Sequence, residues 1–191
     1  MWGRAITISP LLIAMLSPIM GAIADNGGYR KFFLIFWTWI CIIFSFLLYF
    51  PIPGQIQSAL LFFIIANIGF EMGGVYLNAY LPEIVSHDRI GRISGYGWSF
   101  GYVGGLIALI IGYFCFVNPE VPIFNLDKIT HEHIRGTNIM VAVWFAIFSI
   151  PTFLFVHQKL QPGRSNENLI RDSINQVKDT FRNIRQYKEM T

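Results

Sequence analysis

Five apolar runs divide the chain, and its polar residues gather between them. The runs cover residues 5–24, 32–50, 55–79, 93–117 and 137–157. Each is close to the roughly 20 apolar residues that a helix needs to cross a bilayer. The connections differ in character. Residues 21–31 make a very tight turn that carries Asp25, Arg30 and Lys31. Pro51-Ile52-Pro53-Gly54 is a short turn without charge, whereas residues 80–92 form a polar loop with Glu83, His87, Asp88, Arg89 and Arg92. Residues 118–136 form a longer loop with Pro119 and Pro122. The fold this pattern predicts is all-α: a polytopic transmembrane helix bundle of five spans over residues 1–157. Beyond His157 the chain turns polar. There Ile170, Ile174, Val177, Phe181 and Ile184 recur at steps of four and three, with Arg171, Lys178, Arg182 and Arg185 between them. That spacing predicts a basic amphipathic linker helix within residues 158–191 that is drawn to anionic lipid.

Composition strengthens this reading. Of 191 residues, 54% are hydrophobic and 13% charged, against about 25% charged in a soluble domain. A water-soluble globule is excluded, because one of this size could not cover that much apolar surface. Cys41 and Cys115 fall inside apolar runs and read as small hydrophobes. Charge then sets orientation. Eleven of the 14 Lys and Arg residues fall on one side: Arg30, Lys31, Arg89, Arg92 and seven in the tail. Only Arg4, Lys128 and Arg135 fall on the other. Cytoplasmic segments of membrane proteins are enriched in Lys and Arg, so the 21–31 turn and the tail are expected in the cytoplasm and Met1 outside. This bias accounts for the net charge of +3, so membrane lipid is an expected partner and nucleic acid is not.

Candidate chemistry is sparse. Glu71 is the one formally charged residue inside the runs, and Asn67, Gly74 and Asn78 share its face at steps of four and three. A charge at membrane depth costs about 2.5–3.5 kcal/mol on the insertion scale, so such a residue is expected to face a cavity or a partner. It could bind a coupling proton or a cationic substrate group; a structural hydrogen bond to a neighbouring helix is the alternative. Gly97, Gly101 and Gly105 form a small-residue stripe in the fourth run, as Gly69 and Gly73 do in the third. Such stripes let helices approach closely. His131-Glu132-His133 lacks the helical spacing of a metal site and reads as a solvated loop. No nucleophile–base pair and no phosphate-binding loop occurs, so neither an enzyme nor a cofactor or metal is expected.

Two segments carry a family resemblance. Gly21, Asp25, Gly28, Arg30 and Lys31 match the cytoplasmic signature of the major facilitator superfamily, with Tyr29 at a position that is commonly Arg. The stretch Asn78-Ala-Tyr80-Leu-Pro82-Glu83-Ile, with Arg92-Ile-Ser94-Gly95-Tyr-Gly97-Trp98-Ser-Phe-Gly101-Tyr-Val-Gly104-Gly105, is similar to bacterial relatives of the vacuolar effluxer, autophagy-related branch. The resemblance implies a secondary transporter that moves a small solute, such as an amino acid, by alternating access in a bacterial inner membrane. It makes the 21–31 turn a conformational latch with Asp25 as its acidic member, and it places the third run at the central cavity. The signature belongs after a second helix and here follows the first run. The chain is therefore expected to supply part of an N-terminal half, as a fragment or split gene, with the missing helices on a partner chain. The other reading is a non-transporting membrane scaffold or a degenerate remnant.

Overall fold

The computed structural model describes residues 7, 10–14, 17–18, 20–21, 29–118, 126–156 and 175. Asp25, Gly28 and, apart from Asn175, the expected tail helix lie outside these residues. Within 7–21 the described positions are helical. Four long helices follow: α1 (Arg30–Leu47), α2 (Ile56–Ala79), α4 (Ile90–Gly112) and α5 (Glu132–Phe155), with a one-turn helix α3 (Leu81–Ile84) between α2 and α4. All four long helices have the length and apolar composition to cross a membrane, and no strand occurs among the described residues.

The boundaries follow from local chemistry. Pro51 and Pro53 cannot continue a helix, and α1 stops at Leu47. The chain reverses with Gln55 N–H donating to the Ile52 carbonyl at 3.0 Å. Gly54 takes a φ of +103° there, a conformation open to glycine and costly for other residues. Residues 80–92 are not an irregular loop. Tyr80 leads into α3, whose second residue is Pro82, a favoured place for proline because the first turn's N–H groups have no helical acceptor. A 3-10 turn at His87–Arg89 then feeds α4. The solvated-loop reading of residues 131–133 also needs correction. His131 adopts the left-handed conformation at φ 56° and α5 begins at Glu132, five residues before the apolar run. His133 is buried. Hydropathy misses this start because the first turn of α5 carries polar side chains that bond to residues 49–51 after α1 and to Asp127.

α1 is the hub, packing along α2 on one side and along α5 on the other. Its contact with α2 is close because of glycine. A Cβ built on Gly69 would lie 2.8 Å from the Cys41 backbone nitrogen and 2.9 Å from the Trp37 carbonyl oxygen. One turn further on, Gly73 faces the Thr38 hydroxyl, which is buried and donates to the Leu34 carbonyl at 2.8 Å. Leu34, Met72, Tyr76, Tyr80 and Val156 form the core, near the α1 start and the α2 end. Phe33 stacks on Tyr76 with ring centroids 5.6 Å apart.

α4 ends differently. Its last turn, Tyr113–Val117, is a π-helix that closes with Asn118 N–H on the Tyr113 carbonyl at 2.8 Å. That turn packs on α5 at Gly136, where Phe116 and Leu126 carbons would stand 3.1 Å from an added Cβ.

Candidate functional site

Two faces of α2 differ sharply. Ala66, Gly69, Met72, Gly73 and Tyr76 are buried. On the other side Glu71 and Asn78 are exposed, and Asn67 and Gly74 are half-buried. A Cβ on Gly74 would meet nothing within 4 Å among the described residues. The structure thus places Asn67, Glu71 and Asn78 together on one strip of α2, away from the face packed against α1. Glu71 stands roughly two turns from the end of the helix. A carboxylate presented to lipid at that depth would carry the full cost of burial, and a water-filled cavity removes it.

The Arg30 end of the bundle carries an ion pair that sequence reasoning did not find. Arg30 Nη1 donates to Glu83 Oε1, joining the first turn of α1 to α3. Both side chains are partly exposed, at 20% and 31%. Lys31 is half-buried beside it, and a Cβ added at Gly21 meets no atom within 4 Å among the described residues. Arg30 and Glu83 are 53 positions apart, and only the antiparallel return of α2 brings them together. Tyr80 is buried immediately before α3. At the start of α4, Arg92 bonds the Tyr96 hydroxyl at 2.9 Å and lies over its ring.

A second polar network ties the opposite ends of α1 and α5. The Tyr49 hydroxyl donates to Glu132 Oε1 at 2.5 Å, and the Asp127 N–H donates to Oε2 at 3.1 Å. Arg135 Nη1 donates to the carbonyls of Tyr49 at 3.0 Å, Phe50 at 3.4 Å and Pro51 at 3.5 Å. Asn138 adds a bond to the Leu48 carbonyl at 3.4 Å. These carbonyls follow the end of α1, where a helix leaves acceptors without helical donors, and a cation there is favoured by the helix dipole. Asp127 accepts from the backbone N–H groups of Ile129 and Thr130. Those bonds hold its carboxyl below the ordinary carboxylate range.

The glycine stripe of α4 stands apart from these contacts. A Cβ at Gly97, Gly101 or Gly105 would meet nothing within 4 Å among the described residues. Trp98, Phe100, Tyr102 and Leu106 around them are exposed. The described residues hold no group of three or more His, Cys, Asp or Glu able to grip a metal ion.

Comparison with known proteins places this arrangement. The family model described as "Vacuole effluxer Atg22 like" matches residues 4–91 and 87–191. The chain is 27% identical over 188 residues to the uncharacterized MFS-type transporter YxiO of Bacillus subtilis (strain 168), covering 98% of this chain and 43% of that protein. It is 38% identical over 82 residues to Autophagy-related protein 22 of Coccidioides immitis (strain RS), covering 43% of this chain and 14% of that protein. An uncharacterized protein of Aquifex aeolicus (strain VF5) is 34% identical over 149 residues, 77% of this chain and 34% of its own length. The chain spans less than half the length of each of these relatives. No solved structure matches it. With matches over nearly its whole length and four helices able to span a membrane, the chain is an integral membrane protein and belongs to the vacuole effluxer Atg22-like family.

Proposed function

We propose that the chain is part of a major-facilitator secondary transporter that moves a small solute, such as an amino acid, by alternating access. The observation that carries this reading is the Asn67–Glu71–Asn78 strip of α2, exposed at Glu71 and Asn78 and half-buried at Asn67, opposite a face packed against α1. In transporters built from repeated halves, the solute site lies near the membrane midplane between the halves. The strip offers a carboxylate that can bind a proton or a cationic group, and two amides that can each donate and accept. Glu71 is the coupling or binding group in this account, and Asn67 and Asn78 orient the solute.

The Arg30–Glu83 pair supports a second element of the mechanism. It joins the first turn of α1 to α3 at one membrane face, which the Lys and Arg bias assigns to the cytoplasm. Partly exposed ion pairs are individually weak, about 0–1 kcal/mol, so this one can break and re-form between two states of comparable energy. Gly21, Asp25, Gly28, Arg30 and Lys31 form the conformational latch in this account, with Glu83 as a further partner of Arg30, and it acts in the bacterial inner membrane.

The test is uptake by proteoliposomes that contain the whole protein, with amino acids as the first panel. The Glu71→Gln variant is expected to lose dependence on an imposed pH gradient while retaining its fold. An unchanged pH-gradient response would remove Glu71 from coupling. Absence of transport by correctly folded wild-type protein across the panel would favour a membrane scaffold instead.

A further inference from the structure

An apolar groove runs between α1 and α5, away from the polar strip of α2. It encloses about 230 Å³ and is lined by Ile43, Phe46 and Leu47 on α1 and by Ala142, Val143 and Ala146 on α5. Ala142 and Ala146 make the space, because their small side chains lie one turn apart opposite Phe46. Ile43, Phe46 and Val143 are exposed, so the groove opens sideways from the bundle.

Beyond the groove, α5 turns polar. Arg135, Ala142 and Ala146 fall on one face of α5 at helical spacing, and Arg135 reaches across to the Tyr49, Phe50 and Pro51 carbonyls of the other wall. From Arg135 to Ala146 the helix rises about 16 Å. The hydrocarbon of one leaflet is about 15 Å deep. The groove itself runs only from Ala142 to Ala146, so it lies in the deeper half of one leaflet, and the Arg135 guanidinium stands about 10 Å along α5 towards the interface. That guanidinium has unused donor capacity. Nη1 serves the carbonyls and Nε is buried, so of the five N–H donors those on Nη2 are the ones a lipid phosphate can meet. The nearby Glu132 carboxylate is already met by Tyr49 and by the Asp127 N–H.

We propose that this groove is a phospholipid site: one acyl chain lies between α1 and α5, and the lipid phosphate meets Arg135. The acyl chain fits because the wall offers only apolar surface along its length. The phosphate fits because a guanidinium matches its charge and its paired oxygens. A lipid held there bridges the two helices next to the joint that the Arg135 and Asn138 bonds already make. It would stiffen that joint without touching the solute strip.

The intact chain in nanodiscs of phosphatidylethanolamine and phosphatidylglycerol tests this. A small fraction of phosphatidylethanolamine carries a diazirine on its acyl chain, and crosslinks are mapped by mass spectrometry. Crosslinking at Ile43–Leu47 and Val143–Ala146 is expected to exceed that at Phe148 and Phe155, exposed on α5, by at least about five-fold. Ala146→Phe, which fills the groove, is expected to bring it down to the Phe148 level. Val143→Phe serves if Ala146→Phe does not fold. Arg135→Gln is expected to lower it for the phospholipid probe but not for a diacylglycerol probe that lacks phosphate. Equal labelling of groove and control positions (bulk annular lipid only) overturns the proposal. So does labelling at the controls with none in the groove, which would mean that a protein segment covers it. A groove signal indifferent to Ala146→Phe and Val143→Phe overturns it as well.

Discussion

Replacing Gly69 by alanine is the sharpest perturbation of the α1–α2 contact. The added methyl would lie 2.8 Å from the Cys41 nitrogen, 2.9 Å from the Trp37 oxygen and 3.1 Å from Ile40 Cγ2, whereas ordinary contact begins near 3.4 Å. Two of these neighbours are backbone atoms and cannot rotate away. The helices must separate by about 0.6 Å at this point. A radial gap of about 0.5–1 Å forfeits a quarter to a half of the dispersion attraction across the contact, and overpacking a well-filled core costs about 1–3 kcal/mol. Against that, alanine gains up to about 1 kcal/mol over glycine in a helix interior. The backbone clash puts the cost at the upper end, so Gly69→Ala is expected to destabilise by about 1–2 kcal/mol. Gly95→Ala is the control, because its methyl meets nothing within 4 Å among the described residues; it is expected to be neutral or to stabilise by up to about 1 kcal/mol. Unfolding by sodium dodecyl sulfate in mixed micelles, followed by tryptophan fluorescence, measures both. A Gly69→Ala protein as stable as wild type would refute the close approach of α1 and α2.

Three further outcomes follow from the polar contacts. Arg135→Leu strips donors from the carbonyls after α1 and is expected to destabilise by about 1–3 kcal/mol in the same assay, with Arg135→Lys recovering part of the loss. For the Arg30–Glu83 pair, a double-mutant cycle with alanine is expected to return a coupling of at most about 1 kcal/mol, and the charge swap Arg30→Glu with Glu83→Arg is expected to restore most of it. Asp127, whose folded carboxyl titrates below its unfolded value, contributes stability above the unfolded carboxylate pKa of about 3.9 that is lost as pH falls through the folded value. Thermal midpoints on acidification below about pH 4 are therefore expected to fall further for wild type than for Asp127→Ala.

The helices were readable because lipid imposes a one-dimensional rule: a run long and apolar enough must be helical. α2 begins within one residue of its apolar run and ends with it. The polar edges were less readable. α1 begins at Arg30 and α5 at Glu132, because terminal turns with charged side chains are held by partners distant in sequence. Glu132 meets Tyr49 across 83 positions and Arg30 meets Glu83 across 53. No local pattern encodes such pairs. Periodicity grouped Asn67, Glu71 and Asn78 on one face, but it could not say whether that face was packed or open. The same spacing of glycines has opposite outcomes in two helices: Gly69 is pressed against α1, whereas Gly97, Gly101 and Gly105 meet nothing among the described residues. Spacing shows where an approach is permitted, and only the tertiary arrangement shows where it occurs.

The central claim is that the Glu71 face of α2 is turned to water. Glu71→Cys in the whole protein, with Cys41 and Cys115 replaced by alanine, can be probed in membranes with a charged, membrane-impermeant thiol reagent, alongside Ile43→Cys on the lipid-facing groove. The account predicts ready labelling at position 71 and little at position 43. Labelling at 71 as slow as at 43 would contradict it.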